Sequence, residues 1–135
     1  MSATRRDVLL ASLAMSAVGG FAGAAFARTG SNLGIVIVED GVASSAREAL
    51  IAMAAGEWRI SEIVAIPHRE FVDHGALHRR LRVPGLIHVA SLLRSANHLL
   101  CRETVRDAGG AIVFDGPASA AAGFNLLVAV CGMRA

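Results

Sequence analysis

Histidines are the residues whose type and spacing most directly suggest chemistry in this chain. His74 and His78 lie four positions apart, so on a helix they share one face, with Glu70 one turn earlier. A histidine pair at this spacing can fill two positions of a zinc or copper site. Glu70 and His78 would lie about 12 Å apart along a helix, so a third ligand must come from elsewhere, and His68 is the nearest candidate. The pattern therefore predicts Zn or Cu binding by His68, His74 and His78, with a half-exposed polar helix face as the alternative.

Carboxylates at the ends of apolar runs form a second candidate site. Ligands of open parallel sheets bind beyond the carboxyl ends of the strands. The residues expected at that edge are Glu39, Asp40, Gly41, Pro67, His68, Ser91, Asp115 and Gly116. A small enzyme could use Asp40 or Asp115 as acid or base, whereas solvated carboxylates that cap helices are the alternative. Ile35–Asp40 is similar to the first strand of a phospho-receiver domain, but that chemistry needs a lysine, and this chain has none.

The two cysteines, Cys101 and Cys131, allow one disulfide if the fold brings them together in an oxidising compartment. Two buried free thiols are the alternative. The absence of a C-x-x-C pair argues against a thiol oxidoreductase, and the absence of lysine excludes Schiff-base chemistry and a P-loop. No G-x-S-x-G nucleophile elbow is present either. We therefore expect a non-catalytic accessory or binding subunit rather than an enzyme.

The elements that must position these residues alternate between strand and helix patterns. Apolar, β-branched runs predict strands, and helical spacing predicts the segments between them. Predicted strands cover 33–38, 61–66, 86–90, 111–114 and 124–130, and predicted helices cover 45–56, 69–82 and 91–108. Ser45 with Glu48 fits a capping box, and Ser91 fits a helix cap. The last connection is too short for a helix, so the pattern predicts an α/β, three-layer fold, a mostly parallel sheet of about five strands with an antiparallel edge strand.

The N-terminal residues have the pattern of an export signal. Thr4-Arg5-Arg6 precedes a mildly apolar run over 8–26, which closes on the small residues Ala25 and Ala27. This segment resembles a twin-arginine (Tat) signal peptide, which implies recognition by the Tat translocase and a periplasmic protein. The implied division is a signal peptide over 1–27 and a single small α/β domain over 28–135. Cleavage would leave no stable membrane span, and an uncleaved signal that anchors the protein is the alternative.

Charge and composition narrow the partners. The 135 residues include 13 Arg, no Lys and 11 acidic residues, for a formal charge of +2. Loss of Arg5, Arg6 and Asp7 with the signal would reduce this charge to +1. No dense basic patch with interleaved aromatics is present, so nucleic-acid binding is not expected. The partners that remain are another protein or, in a homo-oligomer, further copies of this chain. The hydrophobic residues, 54% of the chain, suffice for one small core.

The second half of the chain carries a further resemblance. The relevant segments are Val83-Pro84-Gly85-Leu86, Leu99-Leu100-Cys101-Arg102-Glu103 and Gly109-Gly110-Ala111-Ile112-Val113. Their order is similar to that in a group of small Tat-exported proteobacterial proteins of unknown function. The resemblance implies export and an α/β fold, and it implies no activity.

Overall fold

The computed structural model describes residues 33–132, which form five strands and three helices. The strands are β1 (Leu33–Glu39), β2 (Arg59–Ile66), β3 (Ile87–Leu93), β4 (Ala111–Pro117) and β5 (Asn125–Cys131). The helices are α1 (Ser44–Glu57), α2 (His74–Leu81) and α3 (Ser95–Asp107). The predicted signal peptide, with Arg5, Arg6, Ala25 and Ala27, lies outside the described residues. Within residues 33–132, no helix is both long enough and apolar enough to cross a bilayer.

All five strands form one sheet in the order β2-β1-β3-β5-β4. β1 pairs in parallel with β2 and with β3, whereas β5 is antiparallel to both β3 and β4. The last two described strands thus form a hairpin, in which β4 lies at one edge of the sheet. The predicted α/β class, the mostly parallel sheet and the antiparallel edge are confirmed.

Helices cover both faces of this sheet. On one face, α1 packs its buried Leu50 and Ala54 against Val36, Ala90 and Val128. On the other face, α2 and α3 contribute Leu77, Leu81, Cys101 and Val105 to a second cluster around the central strands. The residues of β1 after Leu33 and all residues of β3 are buried, as expected for strands covered on both sides. The order is therefore helix, sheet, helix.

Three local predictions about how the helices begin are wrong. Ser91 caps no helix: it is fully buried within β3, because the apolar Leu92 and Leu93 extend that strand, and α3 begins only at Ser95. Helix α2 begins at His74, where the Asp73 side chain accepts a hydrogen bond from the amide of Ala76. Helix α1 begins at Ser44 after Ala43, without a side-chain cap, so Ser45 and Glu48 form no capping box.

Trp58 explains a close approach at the start of β1. Its side chain is buried, stacks on the His88 ring with centroids 5.3 Å apart, and lies against Gly34. A Cβ atom at position 34 would overlap the indole, so only glycine fits there. The same point carries an irregularity in the β1–β2 register, and the Ser61 hydroxyl donates to the Gly34 carbonyl at 3.0 Å. Trp58 is thus a core residue at the end of the sheet.

Candidate functional site

A buried carboxylate ties together the carboxyl ends of the parallel strands. Glu39, the last residue of β1, is only 5% exposed. Its Oε1 accepts from the backbone amide of Arg94 and from Asn97 Nδ2, and its Oε2 accepts from Arg94 Nη1, each at 3.0 Å. Burial alone would raise the pKa of Glu39, but the hydrogen bonds from Asn97 and Arg94 outweigh it and lower the pKa. Both carboxylate oxygens of Glu39 therefore bind groups at the N-terminus of α3, and neither is left for a ligand.

Asn97 extends this network to the loop that follows β2. Its Oδ1 accepts from the amide of Val72 at 2.9 Å, and its Nδ2 also donates to the carbonyl of Glu70 at 3.0 Å. One buried side chain thus joins β1, α3 and the loop before α2. The loop has no regular structure of its own, so these bonds fix where Phe71 and Val72 lie.

Arg94 occupies the crevice between the ends of β1 and β3, where the direction of the chain connections reverses. Its Nη1 also donates to the Asp40 carbonyl at 2.8 Å, and its guanidinium lies 4.7 Å from the centre of the Phe124 ring. Gly41 adopts φ +101° beside this guanidinium. The edge at which an acidic ligand pocket was expected is therefore filled by an arginine and its partners.

Asp115 is also engaged in the structure. Its Oδ1 accepts from His98 Nε2 at 2.6 Å, and its Oδ2 accepts from Arg102 Nη1 at 3.0 Å. Burial acts to raise the pKa of Asp115, but the hydrogen bonds and charges of Arg102 and His98 lower it. With both oxygens occupied, this carboxylate anchors β4 to α3 and lacks the raised pKa of a general acid.

The predicted histidine pair does come together. The rings of His74 and His78 stack with centroids 5.9 Å apart at the junction of α2 and α3. Thr104 donates its hydroxyl hydrogen to the Leu100 carbonyl, so the 2.7 Å contact between His74 Nδ1 and Thr104 Oγ1 requires a proton on Nδ1. His74 Nε2 then faces Asp107 Oδ2 at 3.8 Å.

A complete ligand set does not form around the pair. Among residues 33–132, no three His, Cys, Asp or Glu side chains have the arrangement of a metal site, and this holds for His68 with His74 and His78.

Both cysteines are buried in the core between the sheet and α3, and both are free thiols in the structure. Burial raises the pKa of Cys101 to about 12 and that of Cys131 to about 11. Both side chains belong to the same buried cluster between the sheet and α3. Their disulfide stays a prediction. Buried thiols with raised pKa values are poor nucleophiles.

An apolar groove opens on the α2 face beside β2. Its volume is about 180 Å³. Its apolar lining comes from β1, β2, the loop before α2 and α2 itself. These residues are Ile37, Val64, Ile66, Phe71, Val72, Ala76 and Leu77. Phe71 is 69% exposed at its rim. For comparison, an engineered apolar cavity of about 150 Å³ holds benzene, so the groove can accept one large apolar side chain.

The two ends of the groove differ in charge. At the β2 N-terminal end, Glu62 and Arg80 form an ion pair. At the other end, Asp73 caps α2 through Oδ1, close to Phe71 in the chain. Two carboxylates against one guanidinium give the lining a formal charge of −1. Among the lining residues, Glu62 pairs with the one guanidinium, so the net negative charge of the lining is assigned to Asp73.

β2 presents an open edge alongside this groove. It is the terminal strand of the sheet, and no strand of residues 33–132 pairs with its outer side. The Ile66 carbonyl accepts from the amide of Asp40, so Ile66 directs its polar groups towards β1. Because these directions alternate along a strand, Ile63 and Ala65 direct their amides and carbonyls to the outer edge. Ile63 is also 42% exposed.

Sequence reasoning missed the residues that shape these features: Arg94, Asn97, Phe71, Asp73 and the Glu62–Arg80 pair. A signal existed for two of them, since Arg94 and Asn97 follow a buried strand at the point where a ligand or cap residue is expected. Comparison of the chain with models of protein families and with curated proteins gave no match.

Proposed function

We propose that this protein is an exported, non-catalytic binding subunit that takes up an extended segment of a partner polypeptide on the outer edge of β2. The observation that carries the proposal is the open edge of β2 directly beside the apolar groove. An added strand would pair its backbone with Ile63 and Ala65 and place alternate side chains in the groove. Main-chain hydrogen bonds supply affinity in this mode, and the groove supplies selectivity.

The character of the edge supports this use. Exposed edge strands are usually protected by charges, prolines or covering elements. Here Ile63-Val64-Ala65-Ile66 is a continuous apolar run on an edge strand, and Pro67 stands only after it. Such an edge can pair with another strand, and an unprotected edge is what a subunit that binds by strand addition requires.

A partner segment fits this edge better than a second copy of the chain. Self-pairing of β2 would place two grooves side by side, each with a formal charge of −1. Like charges at close range oppose that association, whereas a segment without acidic residues meets no such repulsion. A second copy is thus an outcome that the test below must distinguish.

The test is a titration followed by ¹H–¹⁵N NMR. The probe is a blocked heptapeptide of threonines with a central leucine, which is extended in character and suits the groove. We expect saturable shifts at the amides of Ile63 and Ala65 in the purified full chain. Ala65→Pro removes an amide that faces outward and so spares the β1 ladder, whereas Ala65→Val keeps that amide. The proline variant should therefore lose binding while the valine variant keeps it.

Three results would refute the proposal: no saturable shifts with the unmodified chain, equal binding by the two variants, or sedimentation that shows a dimer through β2. Thermal unfolding of both variants serves as the folding control. A proline variant that unfolds is replaced by Ala65 N-methylation through semisynthesis, which removes the same hydrogen-bond donor with the alanine side chain retained.

Export is the second part of the proposal, and it rests on the sequence of residues 1–27. We propose recognition by the Tat translocase through Arg5 and Arg6, with cleavage after Ala27. Replacement of both arginines by lysine should retain the chain in the cytoplasm, while wild type is recovered from the periplasm with Arg28 as its first residue. Recovery of the double variant from the periplasm would exclude the Tat route, and full-length wild type in the membrane would favour an anchor.

Zinc or copper binding by His74 and His78 is a second candidate, favoured by their stacked rings 5.9 Å apart. Thr104 holds the Nδ1 proton of His74, which leaves Nε2 as the ligand atom beside Asp107. Isothermal titration of the chain with Zn²⁺ and Cu²⁺ tests this candidate. Saturable heat that disappears in His78→Ala and persists in His68→Ala supports the pair alone. Absence of saturable heat at millimolar metal eliminates it.

A further inference from the structure

We infer that the segment taken up on β2 carries an apolar residue and a basic residue two positions apart. This inference rests on the proposed function, and it names the chemistry of the partner. Its basis is the order of groups along the groove. Arg80, near the end of α2, pairs with Glu62, near the start of β2, so the two elements run in opposite directions. Of the lining residues, Val64 and Leu77 therefore fall in the middle, and Asp73, which precedes α2, falls with Phe71 towards the end of β2.

The spacing follows from strand geometry. Side chains on one face of a strand repeat every second residue, about 6.6 Å apart. A residue of the added strand opposite the middle of the groove therefore meets apolar side chains only. The next residue on the same face lies towards Asp73 and Phe71, so the two subsites are matched by residues two positions apart. Adjacent residues would point to opposite faces and could not fill both subsites.

The charge follows from the unbalanced carboxylate. Glu62 already pairs with Arg80, whereas Asp73 accepts the capping hydrogen bond from the Ala76 amide. A lysine or arginine on the segment would place its cation near the Asp73 carboxylate and near the face of the exposed Phe71 ring. An acidic residue at the same position would be repelled by a groove of net negative charge.

The experiment compares four blocked heptapeptides by the NMR titration described above. All contain leucine in a threonine background: one has lysine two positions away, one has glutamate there, one has lysine adjacent, and one has lysine two positions away on the other side. The last peptide covers the two directions in which a strand can add. The better of the two spaced lysine peptides should bind about tenfold more tightly than the glutamate peptide, from an exposed ion pair together with a cation–π contact.

Two variants test the assigned residues. Asp73→Asn keeps a good helix cap and removes the charge, so it isolates the ion pair. Phe71→Ala removes an exposed ring and should leave the fold intact. Each variant should reduce the preference for lysine over glutamate to about threefold, and this ratio is unaffected by a loss of affinity that both peptides share.

The outcomes separate this inference from the proposal beneath it. Equal binding of the lysine, glutamate and adjacent-lysine peptides would overturn the inference and leave strand addition standing. Failure of every peptide to bind would overturn both. A lysine preference that survives Asp73→Asn and Phe71→Ala would remove the assigned subsite.

Discussion

Removal of the Asn97 side chain should be among the most damaging single changes to this fold. Asn97 is 3% exposed and makes three hydrogen bonds, to the Val72 amide, the Glu70 carbonyl and Glu39. Asn97→Ala removes all three hydrogen bonds, and the Val72 amide, the Glu70 carbonyl and the Glu39 carboxylate lose these partners. At about 1 kcal/mol for each bond, the free energy of unfolding should fall by about 3 kcal/mol. With a urea m-value of about 1.5 kcal/mol/M, the unfolding midpoint should fall by about 2 M.

The assay is equilibrium urea unfolding followed by Trp58 fluorescence, which reports on the buried indole between α1 and the sheet. Asn125→Ala serves as the matched control: Asn125 opens β5 and is only partly buried, so its loss should cost less than about 0.5 kcal/mol. Equal midpoints for the Asn97 variant and wild type would refute the reasoning, because three buried bonds would then contribute nothing. The Asn97 variant should also exchange the Val72 amide faster than wild type.

Three further expectations follow from burial. Burial lowers the pKa of His88 from 6.5 to about 4. Between pH 6.5 and pH 4 the unfolded chain therefore binds a proton at His88 that the folded chain does not, so the free energy of unfolding should decline as the pH falls from 6.5 to about 4. His88→Phe should flatten this part of the profile measured by urea unfolding, and an unchanged slope would contradict the assignment. The thiols of Cys101 and Cys131 should not react with Ellman's reagent in the native chain at pH 8 and should react only after unfolding. Rapid reaction in the native chain would contradict their burial. A mass that is two daltons below that of the dithiol after export would establish the disulfide. Gly34→Ala should destabilise by about 1–3 kcal/mol through overlap with the indole, whereas Gly56→Ala, which meets no atom within 4 Å, should stabilise helix α1 by about 0.5–1 kcal/mol. Thermal unfolding decides between these signs, and destabilisation by both would count against the packing argument.

The alternation of strands and helices could be predicted because the spacing of apolar residues within each element depends on which of its faces are buried. The run Leu33–Val38 is apolar at nearly every position, which is typical of a strand covered on both faces, and this is its position in the sheet. The end of β3 could not be placed in this way. Serine is a residue type that often caps helices, but the Ser91 hydroxyl lies in the interior beside Cys101, and Ser91 is a residue of β3.

The functional features were harder to predict because they join residues that are distant in the chain. Glu39 and Arg94 are 55 positions apart, and nothing local in either segment indicates the other. The groove likewise arises only when α2 is set against β2 and the loop at Phe71 is fixed by Asn97. The histidine pair was the exception: His74 and His78 lie on one helix, so their spacing alone predicted that they would meet.

The central claim is that the outer edge of β2 accepts another strand, and amide hydrogen exchange at Ile63 and Ala65 measures it most directly. In the free protein both amides should exchange quickly, while Val64 and Ile66, which face β1, should be protected. Saturation with the lysine-containing peptide should slow exchange at Ile63 and Ala65 at least tenfold and leave Val64 and Ile66 unchanged. Protection of Ile63 and Ala65 in the free, monomeric protein, or unchanged exchange at both after saturation, would contradict strand addition at this edge.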